Sequence, residues 1–271
     1  MKGEALEAFG IYLRSHGYSS NTISSYQFAA SQLNERLPSI NDQALLDHKD
    51  WLVTTFSAKT ANNRIGAINV YLEYLGYEGI RIKGVKVQQK PFLDNVISQD
   101  EYKTLIRGLK SDNNLFWYFA IRYLACTGAR VSELRCFEVE HVELGYMDLI
   151  SKGSKLRRIY IPRPLRNETL SWCNQNNKKS GLLFSNEKGK ALSTRGISLG
   201  LKRAAHRYGV NQDVVYPHSF RHLFAKSFIE RNPDIAFLAD LMGHESIETT
   251  RVYLRRTASE QKATVDRTVN W

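Results

Sequence analysis

The sequence has little of several features that mark whole classes of protein. It holds three cysteines, an odd number with no Cys-x-x-Cys pair, so a disulfide framework is not expected. No apolar run approaches the 18 residues or so that suggest a membrane span. The first residues also lack the basic-then-apolar pattern of a signal peptide. These absences favour a reduced, intracellular protein with no membrane partner, and we expect it in the cytoplasm.

Two missing motifs narrow the chemistry. His218 and His222 are four residues apart, but no glutamate completes a His-Glu-x-x-His pattern, so no metal site is predicted. A Gly-x-x-x-x-Gly-Lys-[Ser/Thr] loop for nucleotide phosphates is also missing. The sequence therefore predicts chemistry without a metal and without a cofactor.

Acidic residues are in deficit. The 271 residues include 38 Lys and Arg against 27 Asp and Glu, a net charge of +11. Up to residue 90 there are 10 basic and 8 acidic residues, and from residue 91 there are 28 and 19. A basic balance is typical of proteins that bind nucleic acid, although a basic protein kept soluble by its charge is the alternative.

Residues 1–78 have the apolar spacing of four helices. Leu6, Phe9 and Leu13 indicate the first, and Ser20 opens a second that stops before Pro38. The third is predicted from about 42 to 56 and the fourth from near 59 to near 76. A small helical bundle follows from this pattern.

Residues 79–97 have the composition of a linker. Between Gly79 and Leu93 there are four basic residues and no acid. These are Arg81, Lys83, Lys86 and Lys90. The segment is either a basic connector that crosses a phosphate backbone or a solvated hinge.

Residues 98–271 are mostly helical in pattern and carry one break. Short branched and aromatic runs at 146–150 and 157–161 flank Ser151-Lys-Gly-Ser-Lys155, which predicts a β-hairpin. Residues 182–184 are a candidate third strand. We therefore predict a mainly α fold with a small antiparallel β-sheet, in which an N-terminal helical bundle precedes an α+β domain.

An ordered set of polar residues spans the second half of the chain. Arg130 lies in Thr-Gly-Ala-Arg-Val-Ser-Glu-Leu, Lys152 in the hairpin, and Arg221 in His-Ser-Phe-Arg-His. Gly243-His244 follows, and Tyr253 comes nine residues later. Guanidinium groups bind phosphate oxygens, lysine or histidine can protonate a leaving oxygen, and a tyrosine hydroxyl can attack phosphorus. The set predicts phosphoryl-transfer chemistry with a built-in nucleophile.

The order and spacing of these motifs resemble the tyrosine recombinase, or phage integrase, family. The likeness runs from Thr127 to Tyr253, with weaker similarity over the whole chain, and it is that of a compact, Xer-like enzyme with two domains. The resemblance implies a site-specific recombinase that cuts and rejoins double-stranded DNA at an inverted-repeat core site. A 3′-phosphotyrosine and a Holliday junction would be the intermediates. It also implies a DNA-grip domain at 1–78, a linker at 79–97 and a catalytic domain at 98–271.

By this resemblance, Arg130 and Arg221 clamp the scissile phosphate and Tyr253 is the nucleophile. His218 and His244 donate hydrogen bonds to phosphate oxygens or shuttle the proton of the tyrosine. A structural salt bridge between Arg130 and Glu133 is the competing interpretation.

The hairpin supplies the general acid in this scheme. Lys152 is favoured, with Lys155 as its rival, and Ser151 stands where the family most often has glycine. Lys155, Arg157 and Arg158 would then contact the DNA backbone. Glu133 would orient the site or serve a purely structural role.

Other residues have less specific predictions. His222 is expected to pack or to support its neighbours. Arg195 and Lys202, on a helix that starts near Thr194, are candidate DNA contacts. Candidates near the N-terminus are Asn62, Asn63, Arg64 and the linker residue Lys86, with ordinary surface polarity as the alternative.

Residues 254–271 mix apolar and charged side chains. In the family such a segment commonly docks on a neighbouring protomer, which implies a homotetramer on DNA with cyclic exchange of tails. A tail packed on its own domain is the alternative. Two other functions stay open from the residues, a type IB topoisomerase and a catalytically silent DNA-binding protein.

Overall fold

The computed structural model describes residues 2–77, 79–87, 95–150, 156–244, 246–252, 258–269 and 271. The chain divides into two compact units, Met1–Gln89 and Lys90–Trp271. In the part of the chain that is described, no helix is both long enough and apolar enough to cross a bilayer. Lys152, Lys155 and Tyr253 lie outside the described residues.

The first unit is a bundle of four helices. They are α1 (Lys2–Ser15), α2 (Ser20–Arg36), α3 (Asp42–Thr55) and α4 (Ala58–Tyr74). A side chain caps the start of three of them, since Ser19, Asn41 and Ser57 each accept the backbone N–H three residues further on. The apolar faces of all four helices meet in one core.

The segment 79–87 is packed on this bundle. The side-chain amide of Asn62 donates to the carbonyl of Val85 and accepts its N–H, both at 2.8 Å. Asn69 binds Ile82 in the same two-way manner, at 3.0 and 2.9 Å. Ile82 is buried in the core of the bundle. This half of the predicted linker therefore belongs to the first unit, because two amides and one apolar side chain hold it there.

The second unit contains the remaining helices around a two-stranded sheet. Its elements in chain order are α5 (Gln99–Ser111), α6 (Leu115–Thr127), α7 (Val131–Leu134), α8 (Val139–Leu144), β1 (Tyr146–Ile150), β2 (Leu156–Tyr160), α9 (Arg163–Gln175), α10 (Thr194–Arg207), α11 (Pro217–Ile229), α12 (Ile235–Met242), α13 (Ile247–Arg251) and α14 (Ala258–Thr268). Helix α6 packs against α5, α9, α10 and α11. Its Tyr123 and Leu124 are fully buried at the centre of this core.

The sheet is the predicted hairpin. Strands β1 and β2 are antiparallel, with Tyr146 opposite Tyr160 and Ile150 opposite Leu156. The predicted third strand at 182–184 is wrong, because Leu182 makes only an isolated bridge to Glu138 and the described sheet has two strands. Leu183 and Phe184 are buried in the core instead. The prediction of a mainly α fold with a small antiparallel sheet is confirmed.

Candidate active site

Arg130 lies at the junction of α6 and α7. Helix α6 ends before Gly128, whose φ of +64° breaks the helix, and Arg130 is the N-cap residue directly before α7. Its backbone N–H donates to Glu133 Oε2 at 2.6 Å and its Nη1 to Glu133 Oε1 at 2.8 Å. The salt bridge considered as an alternative is therefore present. The Arg130 side chain is still 42% exposed, so this ion pair leaves it accessible to a ligand.

Arg221 comes from α11 and is the bulkiest fully buried side chain among the described residues. Its Nη1 donates to the carbonyl of Gly128 at 2.5 Å. Its Nη2 donates to the carbonyl of Met242 at 2.6 Å and lies 2.9 Å from His244 Nε2. These contacts hold the guanidinium between the end of α6 and the end of α12.

His244 directly follows the glycine that ends α12. A guanidinium has no acceptor, so His244 Nε2 must accept from Arg221. The proton of the neutral ring is then on Nδ1, which donates to Thr250 Oγ1 at 2.7 Å. Burial, with the nearby arginines adding to it, lowers the pKa of His244 to about 4. His244 is therefore neutral at pH 7 and has one defined tautomer.

His218 and His222 are one turn apart on α11. Their ring centroids are 5.2 Å apart and the rings are nearly perpendicular. His218 is exposed, whereas His222 is buried. Burial, with smaller contributions from His218 and Arg221, lowers the pKa of His222 to about 4. The exposed ring of His218 is thus the one that can meet a ligand.

The position of Arg157 differs from the one predicted from the sequence. Along β2, Arg157 and Ile159 are buried while Leu156, Arg158 and Tyr160 are exposed. The guanidinium donates to Glu133 Oε1 at 2.6 Å and, through Nε and Nη2, to the carbonyl of Leu241 at 3.1 and 3.0 Å. A DNA-backbone contact for Arg157 is therefore wrong, because the alternation of the strand turns this side chain inward.

Arg158 points the opposite way. It makes two hydrogen bonds of 2.7 Å to the carboxylate of Asp148 across the hairpin. Its guanidinium also lies 3.8 Å from the centre of the Tyr146 ring. Arg158 is thus engaged within the exposed face of the hairpin.

Three arginines meet at the C-terminal end of α12. Successive carbonyls of this helix end each accept from a different guanidinium, Leu241 from Arg157 and Met242 from Arg221. The third carbonyl, that of Gly243, accepts from Arg130 at 3.2 Å. The end of a helix exposes unbonded carbonyls and carries a partial negative charge, which favours cations there. One helix end therefore gathers side chains from the α6–α7 junction, β2 and α11.

The electrostatic balance of this cluster is positive. Burial, with Arg221 and Arg130 adding to it, lowers the pKa of Arg157 to about 10 although Glu133 opposes the shift, so the group stays charged at pH 7. The hydrogen-bond partners of the three guanidiniums include one carboxylate, that of Glu133, and a helix end of roughly −0.5 charge. Within this hydrogen-bonded cluster the excess is thus about +1.5, and the carboxylate of Asp240 lines the same cavity outside it.

An open cavity of about 840 Å³ lies over this cluster. Its lining includes the polar side chains of Arg130, Arg157 and His244 together with the exposed apolar residues Ile150 and Leu156. The excess positive charge therefore faces a space that an anionic ligand can enter.

Comparison with known proteins gives this site a family. The model of the phage integrase family matches residues 95–260. Tyrosine recombinase XerA of Pyrococcus furiosus is 32% identical over 98% of this chain and 94% of its own length. The chain belongs to the phage integrase family of tyrosine recombinases. XerD of Oceanobacillus iheyensis is 27% identical over 95% of each protein. The protein is thus a site-specific DNA recombinase.

Solved structures of recombinases share its fold. A lambda integrase dimer bound to a COC′ core site matches with a TM-score of 0.73 at 18% identity, over 99% of this chain and 97% of that one. The crystal structure of XerA recombinase matches with a TM-score of 0.56 at 22% identity over the whole of both chains. At these identities the likeness concerns the fold alone.

The remaining candidates of the recombinase have mixed outcomes. The side-chain amide of Asn62 is hydrogen-bonded to Val85, which gives this residue a structural contact, and its contact with DNA stays a prediction. Arg64 donates to Gln32 at 2.6 Å and lies 3.8 Å from the centre of the Phe56 ring. The other candidates have exposed side chains and stay predictions. They are Asn63, Lys86, Arg195 and Lys202.

Proposed function

We propose that this recombinase cleaves duplex DNA with Tyr253 as the nucleophile and forms a 3′-phosphotyrosine. Strand exchange then passes through a Holliday junction. The observation that carries the proposal is the meeting of Arg130, Arg221 and His244 at one helix end with an excess of positive charge. A phosphodiester has one negative charge and gains more on its oxygens as a nucleophile adds, which fixed positive donors stabilise.

The two arginines predicted to clamp the phosphate, Arg130 and Arg221, have different proposed roles. Arg221 is held by the carbonyls of Gly128 and Met242, so its charge is oriented before a substrate arrives. Arg130 is the exposed partner and makes the first contact with the scissile phosphate. Such preorganisation lowers the barrier because the protein does not reorganise during the reaction.

The tautomer of His244 bears on proton transfer. With the proton on Nδ1, the lone pair of the ring is at Nε2, where the ring can take up a proton without changing tautomer once the hydrogen bond from Arg221 opens. Donation to a phosphate oxygen from the same nitrogen would need that proton to move. We therefore assign His244 to the attacking hydroxyl of Tyr253 and the exposed His218 to a phosphate oxygen.

Lys152 is proposed to protonate the leaving 5′ oxygen, with Lys155 as its rival. Both lie between β1 and β2 in the sequence, and the assignment rests on the resemblance of Ser151-Lys-Gly-Ser-Lys155 to the family motif. The tyrosine ester retains the energy of the broken bond, so rejoining needs no nucleotide. We propose that the reaction is also independent of metal ions, because guanidinium groups stabilise the phosphate charge.

The substrate proposal draws on recombinases bound to DNA. The structural relatives include XerH bound to a palindromic difH substrate and lambda integrase bound to a core site. For this chain we propose a core site of inverted repeats, gripped by residues 1–78 and by the catalytic domain at 98–271. Residues 79–97 connect the two parts. A homotetramer that exchanges its C-terminal tails, acting in the cytoplasm, completes the proposal.

Covalent trapping tests this function. The purified protein is incubated with fragmented DNA of its source genome, denatured with detergent and digested, and the adduct is mapped by mass spectrometry. We expect a phosphate ester on Tyr253 that Tyr253→Phe lacks, and an inverted repeat shared by the trapped DNA ends. An adduct on another residue would contradict the assignment of the nucleophile.

The same preparation separates the alternatives. Relaxation of a supercoiled plasmid without recombinant products would indicate a topoisomerase. Absence of any adduct, even on substrates nicked beside the cleavage site, would leave a catalytically silent DNA-binding protein.

A further inference from the structure

We infer that Arg157 is a positioning residue for DNA cleavage, which fixes the orientation of Arg130 through Glu133 and holds the turn that carries His244. This inference rests on the proposed function and adds to it a residue that contacts no DNA. Arg157 is the third guanidinium at the end of α12, and the roles proposed above leave it unused.

The first argument is the sharing of one carboxylate. Glu133 Oε1 accepts from Arg157 at 2.6 Å and from Arg130 at 2.8 Å, while Oε2 accepts the backbone N–H of Arg130. The exposed fractions of these side chains are 6% for Arg157, 12% for Glu133 and 42% for Arg130. The buried Arg157 thus fixes the carboxylate of Glu133, and this carboxylate in turn fixes the exposed Arg130. Without Arg157 the carboxylate can rotate and take Arg130 with it.

The second argument is the contact with the end of α12. Nε and Nη2 of Arg157 both donate to the carbonyl of Leu241, three residues before His244. Gly243 lies directly over the stem of Arg157, since a Cβ on this glycine would be 2.3 Å from Arg157 Cδ. The arginine therefore supports the turn between α12 and His244 from below.

The third argument is the position of Arg157 in the hairpin. It pairs with Leu149 on β1, and in the sequence it comes five residues after Lys152. By binding Leu241 it ties β2 to α12. Arg157 thus links β2, the strand that follows Lys152 in the sequence, to Arg130 and His244. These are the groups proposed to handle the phosphate and the proton.

The hydrogen bonds of Arg157 favour positioning over a direct phosphate contact. All three nitrogens of its guanidinium donate to protein oxygens, those of Glu133 and Leu241. A residue that binds phosphate contributes to the salt dependence of DNA binding, whereas a positioning residue does not. Salt dependence therefore separates the two roles.

The test compares Arg157→Met and Arg157→Lys with Arg166→Met. Arg166 is a matched control because its guanidinium also donates to carbonyls at the end of a helix, those of Val142 and Glu143 in α8. The substrate is the duplex identified by trapping, nicked beside the scissile phosphate so that the short fragment leaves and the adduct accumulates. The single-turnover rate of adduct formation and the affinity for the uncleaved duplex are measured separately.

We expect Arg157→Met to slow adduct formation by about 10- to 100-fold, the range of a misplaced catalytic group. Its DNA affinity should stay within about 2-fold, with an unchanged dependence on salt concentration. Arg157→Lys should recover part of the rate because an ammonium can still bind the carboxylate. Arg166→Met should cleave like the wild type.

A double variant tests the route through Glu133. If Arg157 acts by holding this carboxylate, Arg157→Met should slow cleavage much less in a Glu133→Gln background than in the wild type. A residue that serves only stability would instead give independent, multiplicative losses. Circular dichroism and thermal melting show which variants are folded at the assay temperature, and if Arg157→Met is not, Arg157→Lys replaces it throughout the comparison.

Three results would overturn the inference. They are cleavage at the wild-type rate by folded Arg157 variants, multiplicative losses in the double variant, and a loss of affinity in which the salt dependence falls by about one phosphate contact. In each case the wild type still forms its adduct and the proposed function stands. A wild type that forms no adduct would remove both.

Discussion

Helices α8 and α12 end in the same way. Each stops at a glycine in the left-handed region, with φ of +85° at Gly145 and +61° at Gly243. At each end, guanidinium groups donate to carbonyls that the helix leaves unbonded. Arg166 does this for α8, whereas Arg130, Arg157 and Arg221 share the end of α12 among the described residues.

The difference lies in the number of charges. A helix end has a partial charge of roughly −0.5, which one cation more than offsets. Helix α8 therefore has a stabilising cap, while α12 has more positive charge than its own carbonyls and Glu133 can offset. A common way of ending a helix has become an anion site because arginines from separate elements meet there. The following variants test this contrast, in order of decreasing expected effect.

Loss of Arg130 should have the largest effect. Arg130→Met is expected to slow adduct formation by about 100- to 1,000-fold, because one donor to the developing phosphate charge is gone. The fold should survive, since the side chain is 42% exposed. Single-turnover cleavage beside Arg166→Met makes the comparison, and equal rates for the two variants would remove the distinction between the helix ends.

The two glycines offer a closely matched pair. In Gly243→Ala the new Cβ would be 2.3 Å from Arg157 Cδ, whereas in Gly145→Ala it would be 3.7 Å from Arg166 Cδ. Both variants strain a left-handed backbone by about 1–2 kcal/mol, but the first must also displace Arg157. We expect both variants to lose free energy of unfolding in urea, Gly243→Ala more than Gly145→Ala, and a 10-fold or greater loss of cleavage rate for Gly243→Ala alone. Matching cleavage rates in both would show that the turn over Arg157 has no bearing on catalysis.

The sequence predicts the helices better than the site. Apolar spacing and capping residues indicate the helices, as at α5, which begins with a capping box of Ser98 and Glu101. The burial of Arg157 is also predictable from the sequence, because Arg157 and the apolar Ile159 lie on the same face of β2. The motif interpretation assigned it to DNA because neighbouring residues are basic.

Other features depend on tertiary packing and left no local signal. Arg130 and Gly243 are 113 residues apart, so their hydrogen bond follows from how α7 and α12 pack. In the sequence Asn62 is likewise a polar residue on the surface of a helix. Only the folded chain shows that its side-chain amide is hydrogen-bonded to Val85. Spacing along the chain carries no information about such partners.

Thr250 should have a smaller effect at the end of α12. Thr250→Val removes the acceptor of the Nδ1 proton of His244, so the ring loses the contact that fixes its tautomer. We expect a loss of about 10-fold in cleavage rate, from the cost of about 1–3 kcal/mol for a buried donor without a partner. Thr250→Ser keeps the hydroxyl and should retain most of the activity. Nitrogen chemical shifts of the imidazole would report the tautomer, and an unchanged tautomer in Thr250→Val would contradict this role.

Acid sensitivity should be the smallest difference. In the unfolded chain a histidine protonates near pH 6.5, whereas His244 in the fold protonates near pH 4. Between these values the unfolded state binds more protons, so the stability that neutral His244 provides is present above pH 6.5 and is lost as the pH falls towards 4. His244→Gln should reduce the decline in unfolding free energy between pH 7 and pH 5 by about 2 kcal/mol. Urea titrations at the two pH values measure it, and an unchanged decline would contradict the burial of a neutral ring.

The two asparagine contacts of α4 set a length relation in the first unit. Asn62 and Asn69 are seven residues apart, about 10.5 Å along a helix, and Val85 and Ile82 are three residues apart, about 10 Å along an extended chain. The segment runs antiparallel to α4, and the spacing of Val85 and Ile82 matches the spacing of the two asparagines on the helix. With a residue inserted between 82 and 85, Ile82 and Val85 could no longer both pair with Asn69 and Asn62. A residue inserted beyond 87 would leave both pairs intact.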